Sequence, residues 1–131
     1  MNRLTFFLTS LVIGISAGVT TLFLLPSDYE LLVWAILIIT IVGLCIKFFH
    51  QKLFWETFLF SITTGATVTG THLLFIEAYL ESHQAEIIML DAIKILDSYA
   101  LTLLLIAPIY WLVLGLFSGL LANMFVALNR F

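Results

Sequence analysis

The chain has 131 residues, of which 63% are hydrophobic and 10% charged, and its mean hydropathy is +1.19. Soluble domains carry roughly a quarter charged residues, so this composition excludes a water-soluble enzyme, a disordered tail and a disulfide-rich secreted module. A net charge of −3 with only five Lys and Arg leaves no nucleic-acid footprint, and the single Cys45 has no partner for an internal disulfide. What fits is an all-α, four-transmembrane-helix integral membrane protein, one membrane domain over residues 1–131, with spans of about 20 residues each.

The first apolar run covers residues 4–25 and contains no charge. At 1.5 Å per residue it reaches roughly 33 Å, enough for the ~30 Å hydrocarbon core. Arg3 and the Ser16-Ala17-Gly18 triplet have the flavour of a signal sequence, but the run continues past any such cleavage site, so it reads as a retained span. Pro26-Ser27-Asp28 ends it. A second run, 31–46, closes on the patch 47–52, which holds Lys47, His50 and Lys52. The third span is expected over 53–76 and the fourth over 99–128. None of these runs shows the ten-residue alternation of a membrane β-strand.

Arg3, Lys47, Lys52 and Arg130 fall on one side of four crossings. Asp28, Glu30, Glu77, Glu81, Glu86, Asp91 and Asp97 fall on the other, with Lys94; Glu56 is the one acid on the basic side. The positive-inside rule then predicts cytoplasmic N- and C-termini in the cell inner membrane. The segment 77–98 is external. Over 83–98, His83, Glu86, Asp91, Lys94 and Asp97 interleave with Ile87, Ile88, Leu90, Ile93 and Leu96 at helical spacing. That predicts an external amphipathic helix, either a lid over the bundle or a connector lying on lipid.

Lipid gives helices little hydrophobic reason to associate, so close packing falls to small residues. The first span offers Ser10, Gly14 and Gly18, with Thr21 near the same stripe; the fourth offers Gly115, Gly119 and Asn123. These two seams are expected to meet one another or to serve a partner chain. Pro108 predicts a kink in the fourth span, and at least one of Tyr110 and Trp111 should face protein to satisfy its polar atom.

The third span is the polar one. Ser61, Thr63, Thr64, Thr67, Thr69, Thr71 and His72 cover most of its circumference, which predicts a central position. Ser61, Thr64, Thr67, His72 and Glu77 mark a candidate polar path or relay, because an ionisable residue within a span is a functional candidate by default. Three roles compete for His72: a proton or ion relay beside Glu77, an axial haem ligand on a Gly-x-His stretch, or an interior histidine that is only hydrogen-bonded. The haem option lacks a second histidine within a span, so no cofactor is expected. His83 with Glu81 and Glu86 is too sparse a set for a metal site. A small multidrug exporter would need an acid in its first span, and there is none. No nucleophile–base pair or phosphate-binding glycine loop occurs, so no catalytic residue is expected.

In organisation the chain resembles the DUF4199 family of small uncharacterised bacterial inner-membrane proteins. The resemblance rests on the Gly/Ser-rich first span, on Ile46-Lys47-Phe48-Phe49 closing the second, and on Phe75-Ile76-Glu77-Ala78-Tyr79-Leu80 after the third. The charged insert, Pro108 and the Gly-Leu-Phe-Ser-Gly-Leu-Leu stretch at 115–121 complete it. It implies an architecture and no activity. The chain lacks the basic turn and the terminal basic cluster associated with that family, and its insert is shorter. The expected function is non-catalytic: helix–helix association, as a homo-oligomer or as an accessory subunit of a larger membrane complex. The alternative is a small transporter or channel subunit with a path through His72 and Glu77.

Overall fold

The computed structural model describes residues 2–49, 51–93 and 97–129. His50, Lys94, Leu96 and Arg130, which entered the charge and periodicity reading, lie outside the described residues. All regular structure is helical: α1 (Arg3–Val19), α2 (Glu30–Phe48), α3 (Leu53–Leu74), α4 (Ile76–Ser82), α5 (Gln84–Ile93) and α6 (Tyr99–Leu128). In hydrocarbon a backbone must satisfy its own polar groups, and a helix does so within one segment. The side chain of Asn2 caps α1 by accepting from the Thr5 amide at 2.7 Å, and Ser98 caps α6 through Leu101. α1 continues into a π-helical turn, Thr20–Leu24, before Pro26 stops it. Lys52 makes the tight reversal from α2 into α3 in the left-handed region, with φ of 57°.

Among the described residues, three helices are long and apolar enough to cross a membrane: α1 with its π turn, α2 with the short turn before it, and α6. The hydroxyl-rich α3 reaches that mark only together with α4, and the two are bent by 93° at Phe75. The third span therefore does not run straight to residue 76. α6 passes unbroken through Pro108.

α3 sits at the centre, parallel to α1 and antiparallel to α6, and both glycine seams close on it. A Cβ at Gly14 would fall 2.6 Å from Thr67 Cβ and 2.8 Å from the Thr64 carbonyl oxygen; one at Gly18 would fall 2.8 Å from Thr71 Cβ. On the opposite side, a Cβ at Gly115 would meet the Phe58 ring at 2.9 Å, and one at Gly119 would meet Phe54 at the same distance. The seams thus meet the third helix, where the expectation had been each other or a partner chain. The reason lies in α3, which offers threonine methyls to the glycines of α1 and phenylalanine rings to those of α6.

Asn123 is a second departure: it is exposed, and Ser118 and Ala122 fill the seam beside Gly115 and Gly119. Each four-residue step overshoots a helical turn by about 40°, so a stripe of three such residues rotates off its neighbour. α2 packs Ile41, Val42 and Cys45 into a shared core with Phe60, Val68 and Ala122. Phe6 joins this core edge-on to Phe49 and Phe60, with ring centroids 5.7 and 4.9 Å apart.

Candidate functional site

The two ends of the bundle differ in charge. Arg3, Lys47 and Lys52 stand at one end; Asp28, Glu30, Glu77 and Glu81 stand at the other, called the acidic end below. Trp111 of α6 lies against Gly65 of α3 and donates its indole N–H to Thr69 Oγ1 at 3.1 Å. Thr69 is five residues short of the end of α3, so the first two turns of α6 extend past it. α4 and α5 close over this overhang and bury Tyr79, His83, Leu90, Thr102 and Ala107. Tyr110 points outward, with its hydroxyl 3.9 Å from Met89 Sδ on α5. Tyr99 reaches back to Asp91 at 2.8 Å.

Under this cap lies a cluster of ionisable side chains. The π turn of α1 presents Thr21, whose Oγ1 is 2.8 Å from His72 Nε2. His72 is buried at the last turn of α3. The bend at Phe75 swings Tyr79 back over it, so the two rings stack with centroids 4.6 Å apart and planes 25° apart. Tyr79 also stacks on His83, at 4.4 Å and 21°, and the two imidazole centroids are 6.2 Å apart. The three rings therefore form a triangle in which Tyr79 stacks on both imidazoles.

His83 is fully buried, and both of its ring nitrogens face acceptors. Nδ1 lies 3.1 Å from the Tyr79 carbonyl and 2.7 Å from Ser82 Oγ; Nε2 lies 3.3 Å from Glu30 Oε2. A carbonyl and a carboxylate only accept, so each of these contacts calls for an N–H on the ring nitrogen that faces it. The Nε2–Glu30 contact is an ion pair whose geometry falls short of a hydrogen bond. Trp34 donates to the other oxygen of Glu30 at 3.3 Å and orients the carboxylate. Glu86 brings a second carboxylate, with one buried oxygen that has no hydrogen-bond partner. Glu30 and Glu86 both act electrostatically on the Tyr79 hydroxyl.

The residues marked from sequence divide between the two halves. Ser10, Gly14 and Gly18 are buried on α1; Ser61 and Thr64 are buried on α3, and their hydroxyls have no partner, as is also true of Ser118. Thr57, Ser61, Thr64 and Thr71 share the buried face of α3 with Val68, and His72 stands at its end. Thr67 is half-buried and donates to the Thr63 carbonyl. Glu77 is exposed on α4, and the carboxylate that enters the cluster is Glu30. His83 was expected on the polar face of an external helix; it stands at the joint between α4 and α5 and is fully buried, while Ile88 on α5 is 73% exposed. Nε2 of His72 lies against Thr21 Oγ1 and one ring face against Tyr79. Among the described residues, no three His, Cys, Asp or Glu side chains are placed to hold a metal ion.

The missed members are Tyr79 and Glu30. Their one sequence signal is shared with Thr21, His72 and His83: all five fall near the acidic ends of the expected spans. A separate groove of about 360 Å³ opens between α1 and α2, lined by Val12, Ala17, Thr20, Leu37 and Thr40 among others. Comparison with protein-family models, curated proteins and solved structures gives no match for this chain.

Proposed function

We propose that this small multi-span helical membrane protein is a non-catalytic transporter or channel subunit that handles protons at the capped end of α3. The carrying observation is the convergence of Thr21, His72, Tyr79, His83 and Glu30 under the α4–α5 cap. Five polar or ionisable side chains converge in a protein with few of them, and such convergence marks functional sites more often than structural ones. In this reading the acidic end faces outward and both termini are cytoplasmic, in accord with the distribution of Arg3, Lys47 and Lys52. Kinship with the DUF4199 family belongs to the same proposal and rests on the order of spans.

The test is proton flux into liposomes containing the purified protein, compared with the His72→Ala variant. Loss of a measurable flux in the variant supports the reading. An absence of flux in the unaltered protein overturns it.

A second reading is association, with another copy or as an accessory subunit. Asn123 favours it, because an amide that leaves the bundle within a span gains by hydrogen bonding to a neighbouring helix. The glycine seams no longer speak for it, since α3 fills them. Native mass spectrometry of the protein and of Asn123→Leu distinguishes the two: an oligomer or heteromer that dissociates in the variant supports association through this face, and a monomer in both removes it.

A further inference from the structure

Deepening the proton-handling reading, on which it rests, we propose that the triangle of His72, Tyr79 and His83 is a two-proton site that holds the α4–α5 cap shut with one proton and releases it with two. One proton is well accommodated. Placed on His83, it satisfies Glu30 at Nε2 and the Tyr79 carbonyl and Ser82 hydroxyl at Nδ1, and it lies against the face of Tyr79. In that state α5 is latched through His83 to the start of α2.

Within the triangle a second proton goes to His72, and it finds no counter-charge there. The groups that face the triangle are Thr21 from the end of α1, Glu30 from α2, Ser82 from α4 and Glu86 from α5, while the outward-pointing Tyr110 of α6 acts on Tyr79 only electrostatically. Glu30 is already spent on His83, in the one ion pair found among the described residues, and Glu86 acts on the Tyr79 hydroxyl without coming within ion-pair range of His72. A charged His72 would be buried, with a like charge 6.2 Å away. Water relieves both penalties. The shortest way to admit it is for α4 to swing at Phe75, the bent joint that already separates α4 from α3. Acid therefore favours the open cap.

Hydrogen exchange of residues 76–93, read on the full chain in lipid nanodiscs and corrected for the intrinsic pH dependence, tests this. Exchange should rise about tenfold or more between pH 7.5 and pH 5, as expected for a local opening that leaves the central turns of α6 protected. His72→Gln should stay protected at both pH values. His83→Gln, which loses the latch, should be less protected at pH 7.5 and show no further rise at pH 5; it keeps the test decisive if His72→Gln fails to assemble. A pH-independent cap in the unaltered protein overturns the proposal, as does the same rise in either variant. Proton flux on the same preparation separates the two readings: opening without flux removes transport and keeps the switch, whereas flux through a pH-independent cap does the reverse.

Discussion

The body of the bundle and its cap are built on opposite principles. In the body, α1 and α6 press glycines against the threonines and phenylalanines of α3, and the hydroxyls of Thr57, Thr67 and Thr71 return to carbonyls of their own helix. Nothing in those seams titrates. In the cap, three rings and one ion pair join four separate elements, and the contacts depend on where protons sit. Fit holds the first region and polar matching holds the second. A perturbation that strains one should therefore leave the other nearly untouched.

The largest expected effect comes from spoiling the fit. Gly14→Leu would drive a side chain into the Thr64 carbonyl and Thr67, and backbone cannot yield as a flexible side chain does. The cost should reach about 3 kcal/mol, the upper end for overpacking, seen as a large fall in the thermal midpoint of detergent-solubilised protein. A midpoint unchanged within error would mean that α1 does not seat on α3 as described. An intermediate effect is expected from Glu30→Gln, which removes the charge from a partly exposed pair. It should cost about 1 kcal/mol, confined to the cap: faster hydrogen exchange in 84–93 with α6 unaltered around Gly115. Equal loosening of both regions would erase the distinction drawn here.

The smallest effect sharpens the contrast by control. Gly43 has no atom within 4 Å of its would-be Cβ, so Gly43→Ala meets open space. It should be neutral or stabilising by about 0.5–1 kcal/mol through helix propensity, where the same change at Gly14 destabilises.

Much of the body was legible beforehand, because uninterrupted apolar runs leave a helix as the sole economical backbone. The expected spans 31–46 and 99–128 coincide closely with Glu30–Phe48 and Tyr99–Leu128. The central place of α3 also followed from its polar circumference. The partners of the seams did not follow, since a glycine stripe states that something comes close without saying what. The cap was poorly legible for two reasons. The bend at Phe75 has neither proline nor glycine to announce it, and the end of the third span at 76 follows from polarity alone, which says nothing of the direction the chain takes next. The latch joins His83 to a residue 53 positions away, and local periodicity assigned His83 to the water-facing side.

The central position of α3 has a consequence for biosynthesis. The chain emerges from its N-terminus, so α1 enters the membrane before the helix that fills its glycine seam has been made. α2 intervenes and packs on α3 and α6, both still unsynthesised. The first two helices must therefore wait in lipid, with Gly14 and Gly18 uncovered, until α3 arrives and recruits α1 on one side and then α6 on the other. A chain arrested before residue 53 would present an open seam to any passing helix with suitable small knobs. That makes the interval between the second and third helices the stage at which a membrane chaperone has most to shield.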